Sequence, residues 1–155
     1  MALSEHLKEL IRQFQENEIT EYHIYSNLAR RMRDPQNKSI LQSIADDEKR
    51  HYDEWQQQTG FDVAPNRLKI GWFTLLGRLL GATFALKLLE QAEEGAQESY
   101  GALVSEVPEA RDILADEDAH EEALLDMLDE ERLRYTGSIV LGLNDALVEL
   151  TGALA

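Results

Sequence analysis

Two glutamate–histidine pairs share a spacing that suits metal binding. Glu48 stands three residues before His51, and Glu117 stands three residues before His120. On an α-helix, residues three apart lie on one face, so each pair would present a carboxylate and an imidazole in the same direction. The chain has only 4 histidines, but glutamate is abundant, so the repeat by itself proves little. Whether the pairs form a site depends on the elements that carry them.

Helices must carry these pairs, and the spacing of apolar residues predicts four helices and no strand. The predicted helices span about residues 4–32, 35–58, 68–105 and 109–135. Asp34 is expected to cap the second helix, with Pro35 at its first position. Two helical hairpins joined by a longer connection give an all-α four-helix bundle with a crossover, and residues 1–135 would form this domain.

The predicted inner face of each helix is apolar at its ends and polar in the middle. The polar positions on these faces are Glu18 and Glu21, Glu48 and His51, Glu90 and Glu93, and Glu117 and His120. Burying several carboxylates without compensation is unfavourable and raises their pKa values, whereas divalent cations at the centre would neutralise them. The simpler alternative is an acidic face that is solvated or salt-bridged.

Four glutamates and two histidines match the ligand pattern of two-metal sites in helical bundles, in which two helices give one glutamate each and two give a Glu-x-x-His pair. The predicted ligands are Glu18, Glu93, Glu48 with His51, and Glu117 with His120. Glu48 and Glu117 are expected to bridge the two metals. Each histidine would bind one metal through a neutral ring nitrogen.

Two tyrosines and two glutamates near the predicted ligands have alternative roles. Tyr25 and Tyr100 each follow a predicted ligand by seven residues, and they either hydrogen-bond ligand carboxylates or are ordinary core tyrosines. Glu90 is a candidate fifth carboxylate ligand that moves on and off the metal with oxidation state. Glu21 lies one turn from Glu18 on the same face, and whether it is a metal ligand is left open.

The composition excludes several classes of function. The net charge of −15 argues against nucleic-acid binding and against adsorption of the domain on anionic lipid. The chain has no cysteine, so a metal site must use Asp, Glu and His, which suit iron, manganese or zinc. The polar start of the chain is not a signal peptide, which predicts a cytoplasmic protein.

The site residues resemble the ferritin-like di-iron carboxylate superfamily, and its rubrerythrin branch most closely. The resemblance covers residues from about 10 to 130 and is carried by the segments NEITEYHIY, DDEKRH, LLEQAEE and DEDAH. It implies a cofactor of two iron ions per chain, with manganese possible, and reaction of Fe(II) with oxygen or peroxide. The absence of cysteine departs from rubrerythrin, because no rubredoxin centre can deliver electrons.

The C-terminal segment, residues 136–155, carries a second resemblance. Within it, residues 137–155, GSIVLGLNDALVELTGALA, are similar to the opening of the first membrane helix in the vacuolar-iron-transporter family. An attached or neighbouring membrane transporter is therefore an expected partner, and it would tether the domain to the membrane. The alternative is a fifth apolar helix packed on the bundle or on a partner chain, because Asp145 and Glu149 interrupt the hydrophobic run.

A homodimer is also expected. Gly77, Gly81 and Ala85 recur every four residues within the predicted third helix, which would permit close helix packing between two chains. Arg78 and Lys87 argue against a membrane span over the same apolar stretch.

Three functions compete on these observations. The first is a redox-active di-iron domain that oxidises Fe(II) with oxygen or peroxide, in iron detoxification or in iron supply to an exporter. The second is a non-enzymatic module that captures or senses iron or manganese for a transporter, with the same ligands. The third is a helical interaction module whose acidic residues are merely solvated.

Overall fold

The computed structural model describes residues 5–93, 107 and 110–129, apart from the side chains of His6 and residues 90–93. The helices are α1 (Glu5–Ala29), α2 (Pro35–Thr59), α3 (Arg67–Leu79), α4 (Ala82–Glu93) and α5 (residues 110–129). These residues contain no strand, so the predicted all-α class is confirmed, and the helices are consistent with a ferritin-like bundle. The predicted C-terminal apolar helix, within residues 136–155, lies outside the described residues.

The chain divides into two compact units, residues 1–121 and residues 122–155. The first unit contains helices α1 to α4 and the start of α5. Of the second unit, the structure describes residues 122–129, which continue the helix of α5 and bury Leu124 and Met127.

Helices α1 and α2 pack together as a hairpin, and the predicted cap at its turn is confirmed. The Asp34 side chain accepts hydrogen bonds from the backbone N–H groups of Gln36 and Asn37, at 2.9 and 3.3 Å. Pro35 opens α2, where its missing N–H leaves no donor unpaired. Gly60 ends the helix with a φ of 71°, a left-handed conformation that favours glycine.

The predicted inner faces of α1, α2 and α5 are buried as expected. One apolar cluster at the end of the α1–α2 hairpin includes Leu7, Ile11, Phe14, Trp55 and Ile113. Ile11 and Trp55 have no exposed surface. This cluster joins the start of α1, the end of α2 and the start of α5, so it fixes the three helices that carry the described polar residues.

The predicted third helix, residues 68–105, is wrong as a single element. The chain breaks between α3 and α4, where Gly81 has a φ of 98°. Only glycine adopts this conformation without strain, and the break leaves Leu79, at the end of α3, 69 % exposed. The sequence around the break is apolar on every side, so helical spacing alone does not reveal it.

The break also overturns the predicted packing stripe of Gly77, Gly81 and Ala85. These three residues do not share one continuous helix face, because Gly81 lies outside both helices. Gly77 makes its close contact within the chain: a Cβ placed there would lie 2.4 Å from Cδ2 of Leu28. The homodimer itself stays a prediction.

Polar contacts hold α3 against α1. Asn27 donates a hydrogen bond to the Thr74 hydroxyl at 3.0 Å, and the backbone N–H of Asn66 donates to the Thr20 hydroxyl at 2.9 Å. Asn66 in turn caps α3 through the backbone N–H of Lys69. Among the described helices, none is both long and apolar enough to cross a membrane.

Replacing Gly77 with alanine should destabilise the protein by about 1–3 kcal/mol, because the new methyl group would collide with the buried Leu28 side chain. Gly71, inside the same helix, has no atom within 4 Å of the point that a Cβ would occupy. The matched change Gly71→Ala should therefore stabilise by about 0.5–1 kcal/mol through helix propensity. Urea unfolding of both variants measures the difference, and equal effects of the two changes would contradict this packing.

Candidate metal centre

Three helices bring the described site residues together in the first unit. Glu18 lies in the middle of α1, Glu48 and His51 lie on α2, and Glu117 lies on α5. Ligand atoms from these four residues all lie within 4.8 Å of one another. His120, one turn after Glu117, stands at the edge of the same cluster, with its ring centroid 6.0 Å from that of His51.

The cluster is removed from water. Glu18 and Glu48 are 1 % exposed, His51 is 0 % exposed and His120 is 8 % exposed. The side chain of Glu117 retains 24 % exposure. Burial of so many ionisable groups requires compensation, because each charge loses the solvation that water gives it.

The two imidazoles direct one nitrogen, Nδ1, toward the carboxylates. Nδ1 of His51 lies 3.4 Å from Glu117, 3.5 Å from Glu18 and 3.9 Å from Glu48. Nδ1 of His120 lies 3.4 Å from Glu48. The carboxylate of Glu48 therefore lies beside both histidines, and its role as a bridging ligand stays a prediction.

Buried atoms in this cluster lack hydrogen-bond partners in the described part of the chain. They include Nδ1 of His51 and of His120, Oε2 of Glu48 and Oε1 of Glu117. Buried polar atoms without a hydrogen-bond partner are rare in folded proteins, and they indicate a binding site for a ligand or an ion. Imidazole nitrogens and carboxylate oxygens suit iron, manganese and zinc, so the residues present fit a metal centre.

The other ring nitrogen of each histidine is bonded to an aspartate from the opposite motif. Nε2 of His51 lies 3.2 Å from Asp116, and Nε2 of His120 lies 3.3 Å from Asp47. With Nε2 donating to aspartate, Nδ1 is left as the ring nitrogen that can bind a metal. This second bond also fixes the orientation of each ring.

The aspartates are not among the predicted site residues. The sequence does contain a signal for them, because an aspartate stands directly before each glutamate and both motifs read Asp-Glu-x-x-His. The sequence could not show that the bonds cross between motifs. Arg50 supports both aspartates, at 2.9 Å from Asp47 and 2.7 Å from Asp116.

Trp55 is a fully buried core residue that also contacts the site. Its indole Nε1 donates a hydrogen bond to Oε1 of Glu18 at 3.3 Å. Its ring stacks beside Phe14, with ring centroids 6.5 Å apart. The corresponding position four residues after His120 is Leu124, which has no polar hydrogen to donate. The two halves of the site are therefore chemically unequal.

Burial raises the pKa of the three clustered glutamates. The pKa of Glu18 rises to about 8, because the carboxyl is desolvated and lies beside the charge of Glu48. The pKa values of Glu48 and Glu117 rise to about 7, mainly through burial and further through the neighbouring carboxylates. In the metal-free protein, protons take the place that cations would otherwise occupy.

For the residues around the glutamates, the pKa shifts favour the charged forms. Burial alone would lower the pKa of His51, but Glu117, Glu18 and Glu48 outweigh it and raise that pKa. Partial burial of Asp47 opposes ionisation, yet Arg50 and His120 hold the pKa of its carboxyl below the ordinary range. Asp116 behaves alike, with Arg50 and His51 as its partners.

The remaining predicted residues have different outcomes. Glu21 is buried on α1 and accepts a hydrogen bond from Nζ of Lys69 at 3.1 Å, so it is engaged in an ion pair. Tyr25 is 2 % exposed, and its bond to a ligand carboxylate stays a prediction. The side chains of Glu90 and Glu93, at the end of α4, and all of Tyr100 lie outside the described residues.

Comparison with known proteins addresses the first half of this site. Residues 2–58 match the rubrerythrin family model. Among curated proteins and solved structures, no significant match to this chain is found. The rubrerythrin match covers α1 and nearly all of α2, and so includes Glu18, Glu48 and His51. Glu117 and His120 lie beyond it, and their place in the cluster rests on the geometry described above.

Removal of a histidine partner should weaken metal binding. We expect Asp116→Ala to lower the affinity for Fe(II) or Mn(II) by about 10- to 100-fold, because the His51 ring loses the acceptor that orients it. Asp118→Ala is the matched control, since Asp118 is exposed two residues later on the same helix. Anaerobic calorimetric titration measures both, and equal affinities would contradict the role of Asp116.

The metal-free protein should lose stability as pH rises from about 5 to about 8. The raised pKa values of Glu18, Glu48 and Glu117 mean that the folded state holds protons that the unfolded chain releases. The raised pKa of His51 acts in the same direction. The expected decrease in the free energy of unfolding is roughly 2–4 kcal/mol, measured by urea unfolding with chelator present. Glu18→Gln should flatten the dependence, and an unchanged slope in that variant would contradict the assignment.

Proposed function

We propose that this protein binds two iron ions in the carboxylate–histidine cluster and oxidises Fe(II) with oxygen or peroxide. The physiological context would be iron detoxification or iron supply to an attached or neighbouring exporter. The observation that carries the proposal is the set of buried carboxylates around two imidazoles whose Nδ1 atoms have no hydrogen-bond partner among the described residues. The rubrerythrin match over residues 2–58 supports the same chemistry.

The described residues would hold the metals in two unequal halves. Glu48 lies beside both imidazoles and Glu117 beside that of His51, and these two glutamates are the candidates for shared ligands. Glu18 would be a terminal ligand of one metal, with Trp55 holding one of its oxygens. Glu93, with Glu90 as a further candidate, would complete the other half from α4.

Bound iron would supply the electrons: one from each of two Fe(II) ions reduces one peroxide, with two protons, to two waters. The protein's own contribution is to position the ligands and control protons and water. Asp47 and Asp116 keep each imidazole with Nδ1 available. Burial raises the pKa values of Glu18 and Glu48, so metal binding to these carboxylates would be accompanied by release of protons. No cysteine cluster is available to return electrons, so repeated turnover requires an external donor.

The test is an anaerobic Fe(II) titration of the metal-free protein, with bound iron counted per chain, followed by peroxide. We expect about two irons per chain, as the two-metal ligand pattern requires, and a ferric absorption band that rises after peroxide. The double variant Glu48→Gln/Glu117→Gln should lose nearly all bound iron. Glu9→Gln/Glu122→Gln is the control with the same chemical change, since Glu9 is in a solvent-exposed ion pair with Arg12 and Glu122 is exposed.

The possible results separate the competing functions. Two bound metals without oxidation would overturn the redox proposal and favour the capture module. Wild-type metal binding in the Glu48/Glu117 variant would show that the cluster is not the metal site. Loss of iron in both double variants would show that general acidity, not the cluster, attracts the metal.

A further inference from the structure

The first unit carries an exposed apolar surface that the metal cluster does not use. This outer apolar face consists of Leu68, Trp72, Leu75, Leu79, Leu80 and Phe84, which are between 46 % and 87 % exposed. The first four residues recur every three or four positions along α3 and so share one side of that helix. Contiguous apolar surfaces of this kind mark sites for partners or membranes, whereas single exposed apolar residues are ordinary.

The opposite side of α3 is already packed. Phe73, Leu76 and Gly77 are buried, and Asn27 on α1 is hydrogen-bonded to Thr74. The helix is therefore held by its inner side, and the outer apolar face is not an unfilled part of the core.

The charge of this region is opposite to that of the chain. Residues 63–89 contain none of the 30 acidic residues, yet they include Arg67, Lys69, Arg78 and Lys87. Arg67 and Arg78 are eleven residues apart, close to three full turns, so both lie along one edge of the outer apolar face. Both are exposed, and neither forms an ion pair with another described residue. Lys69 lies at the other edge and is bonded to Glu21.

We propose that the outer apolar face docks on the surface of an anionic lipid bilayer. Leucine, tryptophan and phenylalanine would enter the headgroup region, while the long side chains of Arg67 and Arg78 reach lipid phosphates. A second copy of the same face fits less well, because residues 63–89 offer no acidic group to complement these cations. The net charge of −15 opposes adsorption of the chain as a whole, but residues 63–89 carry no acidic group, and salt screens charges that lie more than about 10 Å away.

The two tryptophans provide an internal reporter. Trp72 is 58 % exposed, whereas Trp55 is 0 % exposed in the core. A Trp72→Phe variant supplies the Trp55 signal alone, which can be subtracted. When the metal-free full chain is mixed with vesicles of equimolar phosphatidylcholine and phosphatidylglycerol, Trp72 emission should shift to the blue and become protected from a soluble quencher. Pure phosphatidylcholine vesicles should give a much smaller shift, and high salt should reverse the binding.

Matched variants test the two chemical components separately. Arg67→Ala/Arg78→Ala should weaken vesicle binding by about tenfold or more, whereas Arg31→Ala/Arg33→Ala, two exposed arginines before α2, should not. Leu79→Ser should weaken binding by about tenfold, whereas Leu125→Ser, at 53 % exposure outside the face, should leave it unchanged. Circular dichroism confirms that each variant is folded.

Three results would overturn the proposal. A blue shift that grows with protein concentration without vesicles, together with a doubled mass, would assign the face to a second copy of the chain. Equal binding to neutral and anionic vesicles would remove the role of the arginines. No shift of Trp72 with either vesicle would show that lipid does not cover this face.

Discussion

The burial of three carboxylates and two imidazoles between helices is the constraint on which the rest of this structure depends. Each group loses solvation on burial, and the carboxylates repel one another. The protein meets this cost with groups on the outside of the cluster, where Arg50 joins Asp47 and Asp116 and the aspartates join the histidines. Inside the cluster the compensation is incomplete, and protons or metal ions must supply the remainder.

The crossed aspartate–histidine bonds tie the site to the packing of the helices. Each bond joins α2 to α5, so neither imidazole is oriented by its own helix alone. A change in the spacing of these helices would therefore disturb both imidazoles together. A metal ion bound in this cluster would stabilise the same part of the fold, because its ligands come together only in the folded arrangement.

The distribution of charge separates two surfaces with different chemistry. Acidic residues cluster around the metal centre and over much of the chain, whereas residues 63–89 have none. The break at Gly81 ends α3 before the chain enters α4. It leaves Leu79 and Leu80 exposed as part of the apolar surface. The candidate metal centre thus lies among α1, α2 and α5, whereas the apolar, basic surface lies on α3 and the start of α4.

The sequence by itself determined the helices α1, α2 and α5 and the inward direction of Glu18, Glu48, His51 and His120. Helical spacing carries that information, because residues three or four apart share a face whatever the partner helix is. Asp34, Pro35 and Gly60 likewise act locally, so their roles at the ends of α2 could be read directly. Tertiary structure decided the crossed bonds of Asp47 and Asp116, the Trp55 contact with Glu18, the ion pair of Glu21 and the break at Gly81. Each of these depends on which residue of another element lies opposite, or on a backbone conformation that glycine permits but does not require.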